Sequence, residues 1–360
     1  MNKKKNTKVI NNFYKNKKIL VTGASGFKGA WLCFWLHLMG SKVYGIGYSP
    51  NKNKNLFYQL GLNKLIKYSL IDIRNFKKLK KKITLINPEI VFHMAAQPLI
   101  FEGYKKPFET YFINSFGTLS ILEVLKNLKV VKSIVCITSD KCYESNNSQK
   151  GFIESDKLGG EDPYSGSKAC AEIISKTYYK SFFLNKKNCG IATARAGNVI
   201  GGGDWSGNRL IPDSIKSIMN NKTINLRNPY FNRPWLHVLE PLNGYIILAK
   251  NLYEKPSKFS GPWNFGSKKN TVTDVLTIVQ TIIKNWGSGK VKFVKKKRYY
   301  EQENLQLNIE KSQKNLSWKP KLSIKKSVEI TVDWYKNVLQ KKNSAKEMTK
   351  KQILEYINRD

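Results

Sequence analysis

The most constraining stretch of the chain is residues 17–36, KKILVTGASGFKGAWLCFWL. Residues 17–22 predict a first strand, and it runs straight into glycines at GxxGxxG spacing (Gly23, Gly26, Gly29) followed by an apolar helix. Such glycines permit a tight turn and let backbone N–H groups approach a pyrophosphate at a helix N-terminus. A strand, a glycine loop and a helix at the start of a chain predict a dinucleotide site in an α/β, doubly wound parallel sheet. Residues 41–46 predict strand two. An acidic residue usually follows that strand to hold the adenosine ribose. Here no Asp or Glu precedes Asp72, and Tyr48, Ser49 and Lys52 occupy the region instead, so the residues leave NAD and NADP both open.

Strands and helices alternate from residue 17 to about residue 196, which is the doubly wound pattern. Asp72, after a short strand, can cap an adenine or N-cap a helix over residues 75–83. Residues 89–94 predict a buried strand that ends in AAQP, and His93 sits among apolar neighbours as a packed core histidine. Residues 104–128 predict one long helix with Asn114 in its middle, where asparagine has poor propensity. That placement predicts a helix distortion or a buried hydrogen bond. After Arg195 the pattern becomes loop-rich and mixes arginines with aromatics, as suits a smaller lobe that clamps a nucleotide. The expected division is a Rossmann domain over residues 1–198, with 236–258 returning to it. Residues 199–235 and 259–340 form the lobe, and 341–360 form a charged tail or short terminal helix.

Length and composition fit this plan. At roughly 150 residues per domain, a 360-residue chain makes two domains or one large α/β unit. Residues 1–18 are rich in Lys and Asn with no apolar core, and the run 30–40 is too short for a bilayer and contains His37. A cytoplasmic protein with no membrane contact is expected. The five cysteines (33, 136, 142, 170, 189) show no CxxC spacing, so reduced thiols and no metal site are expected. The net charge of +38 steers anionic substrates. Its lysines are dispersed and no nucleic-acid module is visible, so no nucleic-acid partner is expected. A nucleic-acid-binding protein on a Rossmann scaffold, or a catalytically dead one, remains the non-enzyme rival.

The chemistry concentrates in residues 133–168. Residues 133–138 predict an inner strand that delivers a hydroxyl (Ser139), a carboxyl (Asp140) and an amine (Lys141) to its C-terminal end. In PYSGSK, Tyr164 and Lys168 stand four residues apart on one helix face. A cation beside a phenol lowers its pKa and makes it a usable base.

These motifs together resemble the extended short-chain dehydrogenases/reductases, and within them the CDP-glucose 4,6-dehydratase branch. The residues that carry the resemblance are VTGASGFKGAWL, DIR, EIVFHMAAQP, ITSDKCY, DPYSGSKACAE, RAGNVIGGGDW, RLIPD, RNPY, RPWLHVLEPL and WNFG, between residues 18 and 266. Simple sugar epimerases of the family lack an acid–base pair after the strand-end hydroxyl. The dTDP-glucose and GDP-mannose dehydratases usually carry Asp-Glu where this chain has Asp140-Lys141. The resemblance implies NAD as cofactor. It places Gly23, Ser25, Gly26, Phe27 and Gly29 along the pyrophosphate, Asp72 and Ile73 at adenine, and Ala95, Ala96 and Gln97 against the cofactor, with Asn114 ordering the site. It makes Ser139, Tyr164 and Lys168 the catalytic core, Asp140 and Lys141 the dehydration pair, and Asn198, Arg209, Arg233 and His237 substrate contacts. It implies a homodimer that pairs helices 104–128 and 164–183, and a nucleotide-sugar substrate oxidised at C4 before water leaves from C6. Two departures stand out: Phe101 where an arginine is expected, and ENLQLN (303–308) in place of a His-Tyr element. A lysine base must be neutral, so Lys141 is expected either to be shifted mainly by burial in a closed site or to work through a water.

Overall fold

The computed structural model describes residues 12–48, 55–145, 151–186, 188–268, 273–294 and 305–359. Ser49, Lys52 and residues 303–304 lie outside these. Short apolar runs make the strands β1 (Lys18–Thr22), β2 (Lys42–Gly47), β3 (Lys67–Leu70), β4 (Ile90–His93), β5 (Ser133–Ile137) and β6 (Gly190–Ala196). Between them lie α1 (Phe27–Leu38), α2 (Phe76–Ile86), α3 (Gly117–Leu125) and α4 (Pro163–Tyr178). After β6 come β7 (Asn198–Ile200), α5 (Leu210–Met219), β8 (Ile224–Leu226), β9 (Asn232–Arg233), β10 (Trp235–His237), α6 (Leu239–Glu254) and β11 (Gly261–Phe265). Then follow β12 (Thr273–Asp274), α7 (Val275–Trp286), β13 (Val291–Phe293), α8 (Ile324–Leu339) and α9 (Ala345–Ile357).

Seven strands form one sheet in the order β11-β6-β5-β4-β1-β2-β3, every neighbouring pair parallel. The order reverses between β1 and β4, and the carboxyl ends of strands at such a switch point are where open α/β sheets bind ligands. The predicted fold class is therefore the observed one. One face of the sheet is closed by α2 and α3 over Leu79, Ile83, Ile121 and Leu122. The other carries a larger core of Trp31, Trp35, Trp263, Trp318 and Trp334.

Two expectations are corrected here, and a third is decided between its alternatives. The helix predicted over residues 104–128 is broken: a short helix Ile100–Lys105 ends before Pro107, and Lys106 adopts φ −136° and ψ 65°. Proline pushes the preceding residue out of the helical region and lacks an N–H to continue the ladder. Beyond it the chain runs Pro107–Tyr111, a π-turn at Phe112–Phe116, and α3. Residues 261–265 belong to the main sheet, not to the lobe, because β11 pairs with β6 and buries Trp263 and Phe265. Pro262 is tolerated there because β11 is an edge strand. Of the two forms expected for the C-terminal residues, a solvated tail or a short terminal helix, residues 345–357 take the helix. Ser344 and Glu347 form a reciprocal capping box that starts α9, and Met348, Ile353 and Tyr356 are buried. Burial of each such apolar side chain stabilises by about 1.5–3 kcal/mol, which outweighs the charged composition.

The reason for that packing lies in α1, where Trp31, Leu32, Cys33, Phe34, Trp35 and Leu36 are all buried. A helix that is apolar on every side must be covered on every side. Its outer face meets α9, with Trp35 edge-on to Tyr356 at 5.9 Å. All five cysteines are free thiols.

Candidate active site

The glycine loop leaves β1 through Gly23 at φ +71°, a conformation that disfavours a side chain. A Cβ there would also lie 2.6 Å from the backbone N of Ala95. The loop thus lies against the start of the AAQP segment. Gly26 caps α1 with no side-chain hydrogen bond and no acidic residue in the first turn, so the N–H groups of that turn face a site suited to an anion. Ser25 lies on Gly47 and its carbonyl accepts from Asn55 Nδ2 at 3.0 Å, while the Phe27 ring abuts Gly201. Residues of this kind fit a dinucleotide pyrophosphate. Further along the sheet, Ile73 is buried against Gly117. The Asp72 carboxylate is held by the backbone N and guanidinium of Arg74, the shortest bond being 2.6 Å, and that guanidinium holds it below the usual carboxylate range. The helix cap is Asn75, not Asp72, since Asn75 Oδ1 accepts from Lys78 N at 3.0 Å.

Ala95, Ala96 and Gln97 follow β4 at the switch point. Asn114 meets both expectations for a mid-helix asparagine: it sits in the π-turn and is buried in hydrogen bonds. Its Oδ1 accepts from Gln97 N at 2.8 Å, and its Nδ2 donates to Ser167 Oγ at 2.9 Å and to Gln97 O at 3.1 Å. It therefore ties the AAQP segment to α4. His93 is the core histidine expected, buried between the hydroxyls of Thr22 (2.7 Å) and Thr118 (3.1 Å). Burial and the Lys168 charge lower its pKa to about 3.

The candidate catalytic side chains converge beyond β5. Ser139, Asp140, Tyr164 and Lys168 are all buried. Ser139 Oγ donates to Asp140 Oδ1 at 3.0 Å and accepts from Lys141 N at 3.2 Å. α4 is aimed by Asp162, whose Oδ1 caps Tyr164 N (2.9 Å) and Ser165 N (3.1 Å), an interaction worth about 1 kcal/mol. Gly197 allows close approach here, since a Cβ on it would lie 3.2 Å from Asp140 Oδ2. Burial raises the Asp140 pKa against the opposing pull of Lys141, the Ser139 hydroxyl, Arg233 and Lys28. Burial thus favours the protonated form of this carboxyl.

One electrostatic expectation needs correction. The Tyr164 phenol is raised to about 12 by burial, with the Ser139 hydroxyl the chief opposing influence, rather than lowered by Lys168. The Lys168 ammonium donates to Ile137 O at 3.3 Å and is itself lowered to about 8 by burial. Desolvation thus outweighs the pairing in this state. Lys141 is half-buried.

Of the predicted substrate contacts, Arg233 is buried with its guanidinium 5.3 Å from the Phe231 ring, and Arg209 is held by Asp204 at 3.1 Å. Their charges act on Asp140 and on Tyr164 respectively. Asn198 opens β7, in register with Trp235. His237 is placed otherwise: it is wholly enclosed, edge-on to Trp31 at 6.0 Å, with Nδ1 accepting from Leu239 N at 3.4 Å. It packs behind the site and offers it no surface. Sequence reasoning missed Lys28, Asp162 and Asp204. Lys28 is lowered to about 7 by burial and by the charges of Lys168 and Arg209. A lysine inside an otherwise apolar helix start was the available signal.

Comparison with known proteins agrees with this geometry. Residues 20–331 match the family described as GDP-mannose 4,6 dehydratase. A curated relative, CDP-glucose 4,6-dehydratase of Salmonella typhimurium, is 42% identical over 330 residues, covering 90% of this chain and 92% of the relative. Among solved structures, an epimerase of Methanothermobacter thermautotrophicus superposes with a TM-score of 0.82 at 21% identity, covering 93% of this chain and 96% of that one. A dTDP-glucose 4,6-dehydratase of Bacillus anthracis, solved with NAD, superposes with a TM-score of 0.73 at 24% identity, covering 89% and 96%. The chain belongs to the GDP-mannose 4,6 dehydratase family, the nucleotide-sugar dehydratase branch of the extended short-chain dehydrogenases/reductases.

Proposed function

We propose that this protein converts CDP-glucose to CDP-4-dehydro-6-deoxyglucose and water, with NAD as a recycled cofactor. The observation that carries the reading is one site holding both a dehydrogenase set (Ser139, Tyr164, Lys168) and a separate acid–base pair (Asp140, Lys141) at the end of β5. An epimerase needs only the first. The 42% identity to a CDP-glucose 4,6-dehydratase supports the nucleotide base and the sugar.

NAD, when bound, would supply the hydride chemistry, as acceptor for oxidation at C4 and donor for reduction at C6 of the sugar. Gly23, Ser25, Gly26, Phe27 and Gly29 would hold its pyrophosphate, and Ala95, Ala96, Gln97 and Asn114 its nicotinamide half. Asp72 and Ile73 would flank adenine. Tyr164 takes the proton of the C4 hydroxyl, with Ser139 holding that oxygen in place. Burial raises the Tyr164 phenol, and the Ser139 hydroxyl and the Arg209 charge oppose that rise. The C4 ketone acidifies C5–H, and Lys141 removes that proton. Asp140, whose protonated form burial favours, donates a proton to O6 so that water leaves. Arg209 and Arg233 grip the substrate's phosphates, and Asn198 contacts the sugar side.

The protein acts as a cytoplasmic homodimer in this reading. Among the described residues no helix is long and apolar enough to cross a membrane. The test is incubation with CDP-, dTDP-, UDP- and GDP-hexoses and mass spectrometry for loss of one water. CDP-glucose should lose water fastest. Loss with no sugar nucleotide would sink the reading, and a faster rate with another base would move the substrate to that nucleotide.

A further inference from the structure

Directly behind the Asp140–Lys141 turn lies a buried polar network that neither the acid–base steps nor nucleotide binding uses. Arg195 on β6 is its hub. Its Nη2 donates to Glu172 Oε2 and its Nη1 to Tyr143 Oη, both at 2.7 Å. Tyr143 Oη donates onward to Asn264 Oδ1 on β11 at 2.8 Å. Asn264 Nδ2 reaches the carbonyls of Phe152 (2.9 Å) and Asn308 (3.2 Å). Glu172 also accepts from the hydroxyls of Thr138 (2.5 Å) and Thr193 (2.7 Å). Burying an ion pair of this kind is a poor way to gain stability, because apolar residues of similar volume often do as well or better. Geometry is the better account of it.

What the network joins is specific. Thr138 is the residue before Ser139, and Tyr143 is the residue after the turn Asp140–Cys142. Glu172 stands on the same face of α4 as Tyr164 and Lys168, one helical turn beyond the lysine. The turn is therefore gripped at its entrance through Thr138 and at its exit through Tyr143, and both grips converge on α4 through Arg195 and Glu172. The two ends are not equally held otherwise. The entrance is also in the sheet ladder, where Thr138 N donates to Ala194 O at 3.0 Å. The exit leans on loop backbone, through Glu144 N to Lys157 O at 3.0 Å and Gly159 N to Cys142 O at 2.9 Å. Lys141 lies nearer the exit, and Ser139 lies at the entrance.

We propose that Tyr143 is a positioning residue for the elimination step: through Arg195 and Asn264 it fixes the turn bearing Asp140 and Lys141 relative to the helix bearing Tyr164 and Lys168. This rests on the dehydration reading above. It separates the two halves of the reaction. Loosening the exit displaces Lys141 and Asp140, while Tyr164 and Lys168 stay on α4 and the sheet ladder at Thr138 holds the backbone entering Ser139, so C4 oxidation survives and water loss does not.

The test is Tyr143→Phe, which deletes the hydroxyl and keeps the ring stacked on Phe152 at 4.7 Å. Single turnovers with CDP-glucose in deuterated water, on protein loaded with NAD, give three readouts: NADH absorbance, deuterium at C5 and water loss. NADH should appear at a rate within about twofold of wild type, while C5 labelling and water loss slow roughly 10- to 100-fold, the scale of a slight misplacement of reacting groups. Arg195→Lys keeps a charge opposite Glu172 but cannot span both partners, and it should show the same split. It carries the test if thermal unfolding shows that the phenylalanine variant does not fold. Equal slowing of oxidation and elimination in the folded variant, or no slowing of either, overturns the proposal. Wild type that fails to dehydrate CDP-glucose overturns the functional reading and this proposal with it.

Discussion

At the scale of single residues, the division of labour between Asp140 and Lys141 is the sharpest question. Asp140 is buried with a raised pKa, as a proton donor to O6 should be. Lys141, two residues from the Ser139 hydroxyl that its backbone N bonds, is half-buried and so within reach of both solvent and the turn. If it is the base for C5–H, Lys141→Ala should still oxidise CDP-glucose at C4 but lose C5 deuterium exchange. Turnover should fall about 10²- to 10⁴-fold, the usual worth of a general base. Asp140→Asn should stop at the same stage with slow C5 exchange remaining. Rapid-quench mass spectrometry in deuterated water distinguishes the two, and near-normal labelling in Lys141→Ala would reject the assignment.

At the scale of elements, Glu240 is the junction that seats the C-terminal helix. It lies on α6, and its carboxylate accepts from Lys321 N (2.8 Å), Leu322 N (2.7 Å) and Tyr356 Oη (2.6 Å). Trp318 Nε1 donates to its carbonyl at 3.1 Å. Burial raises its pKa from the ordinary 4.5 to about 7, against the pull of those donors. Between these values the folded chain binds a proton that the unfolded chain has lost. Stability contributed here is therefore full below pH 4.5 and declines as pH rises toward 7. The thermal midpoint of wild type minus that of Glu240→Gln should fall across that window and flatten above it. A difference that is constant with pH would show that the carboxyl does not titrate there. Proteolysis of α9 should increase over the same range, since its burial against α1 depends on this junction.

At the scale of the whole molecule, one surface asks for a partner. Phe108 (81% exposed), Phe116 (54%) and Ile173 (52%) stand out from the Pro107–Phe116 segment and from α4, with Tyr111, Phe112, Phe182 and Leu184 also exposed. An apolar patch of this extent on two adjacent helices is the mark of an interaction site. The proposed homodimer covers it with the same helices of a second copy, an isologous contact. Light scattering of the wild type at micromolar concentration should give twice the chain mass. Phe108→Glu with Phe116→Lys should give the single mass with an unchanged circular dichroism spectrum. A wild type that stays single would remove the dimer.

Local patterning alone determined the Rossmann start, the parallel sheet through β6 and the anomaly at Asn114, while the grouping of Ser139 and Asp140 with Tyr164 and Lys168 came from the family resemblance. Strand period, glycine spacing and the four-residue helix repeat are read within a few positions of each residue. What the tertiary structure alone decided depends on partners distant in the chain. β11 became the sheet's edge because β6 offers it a free ladder. Residues 345–357 became a packed helix because α1, some 320 positions earlier, is apolar on the side they cover. His237 left the site because Trp31 and Leu239 enclose it. The phenol of Tyr164 rose because burial, a sum over the whole fold, exceeds one nearby cation. Desolvation and strand pairing are properties of the assembled interior, and no window of sequence contains them.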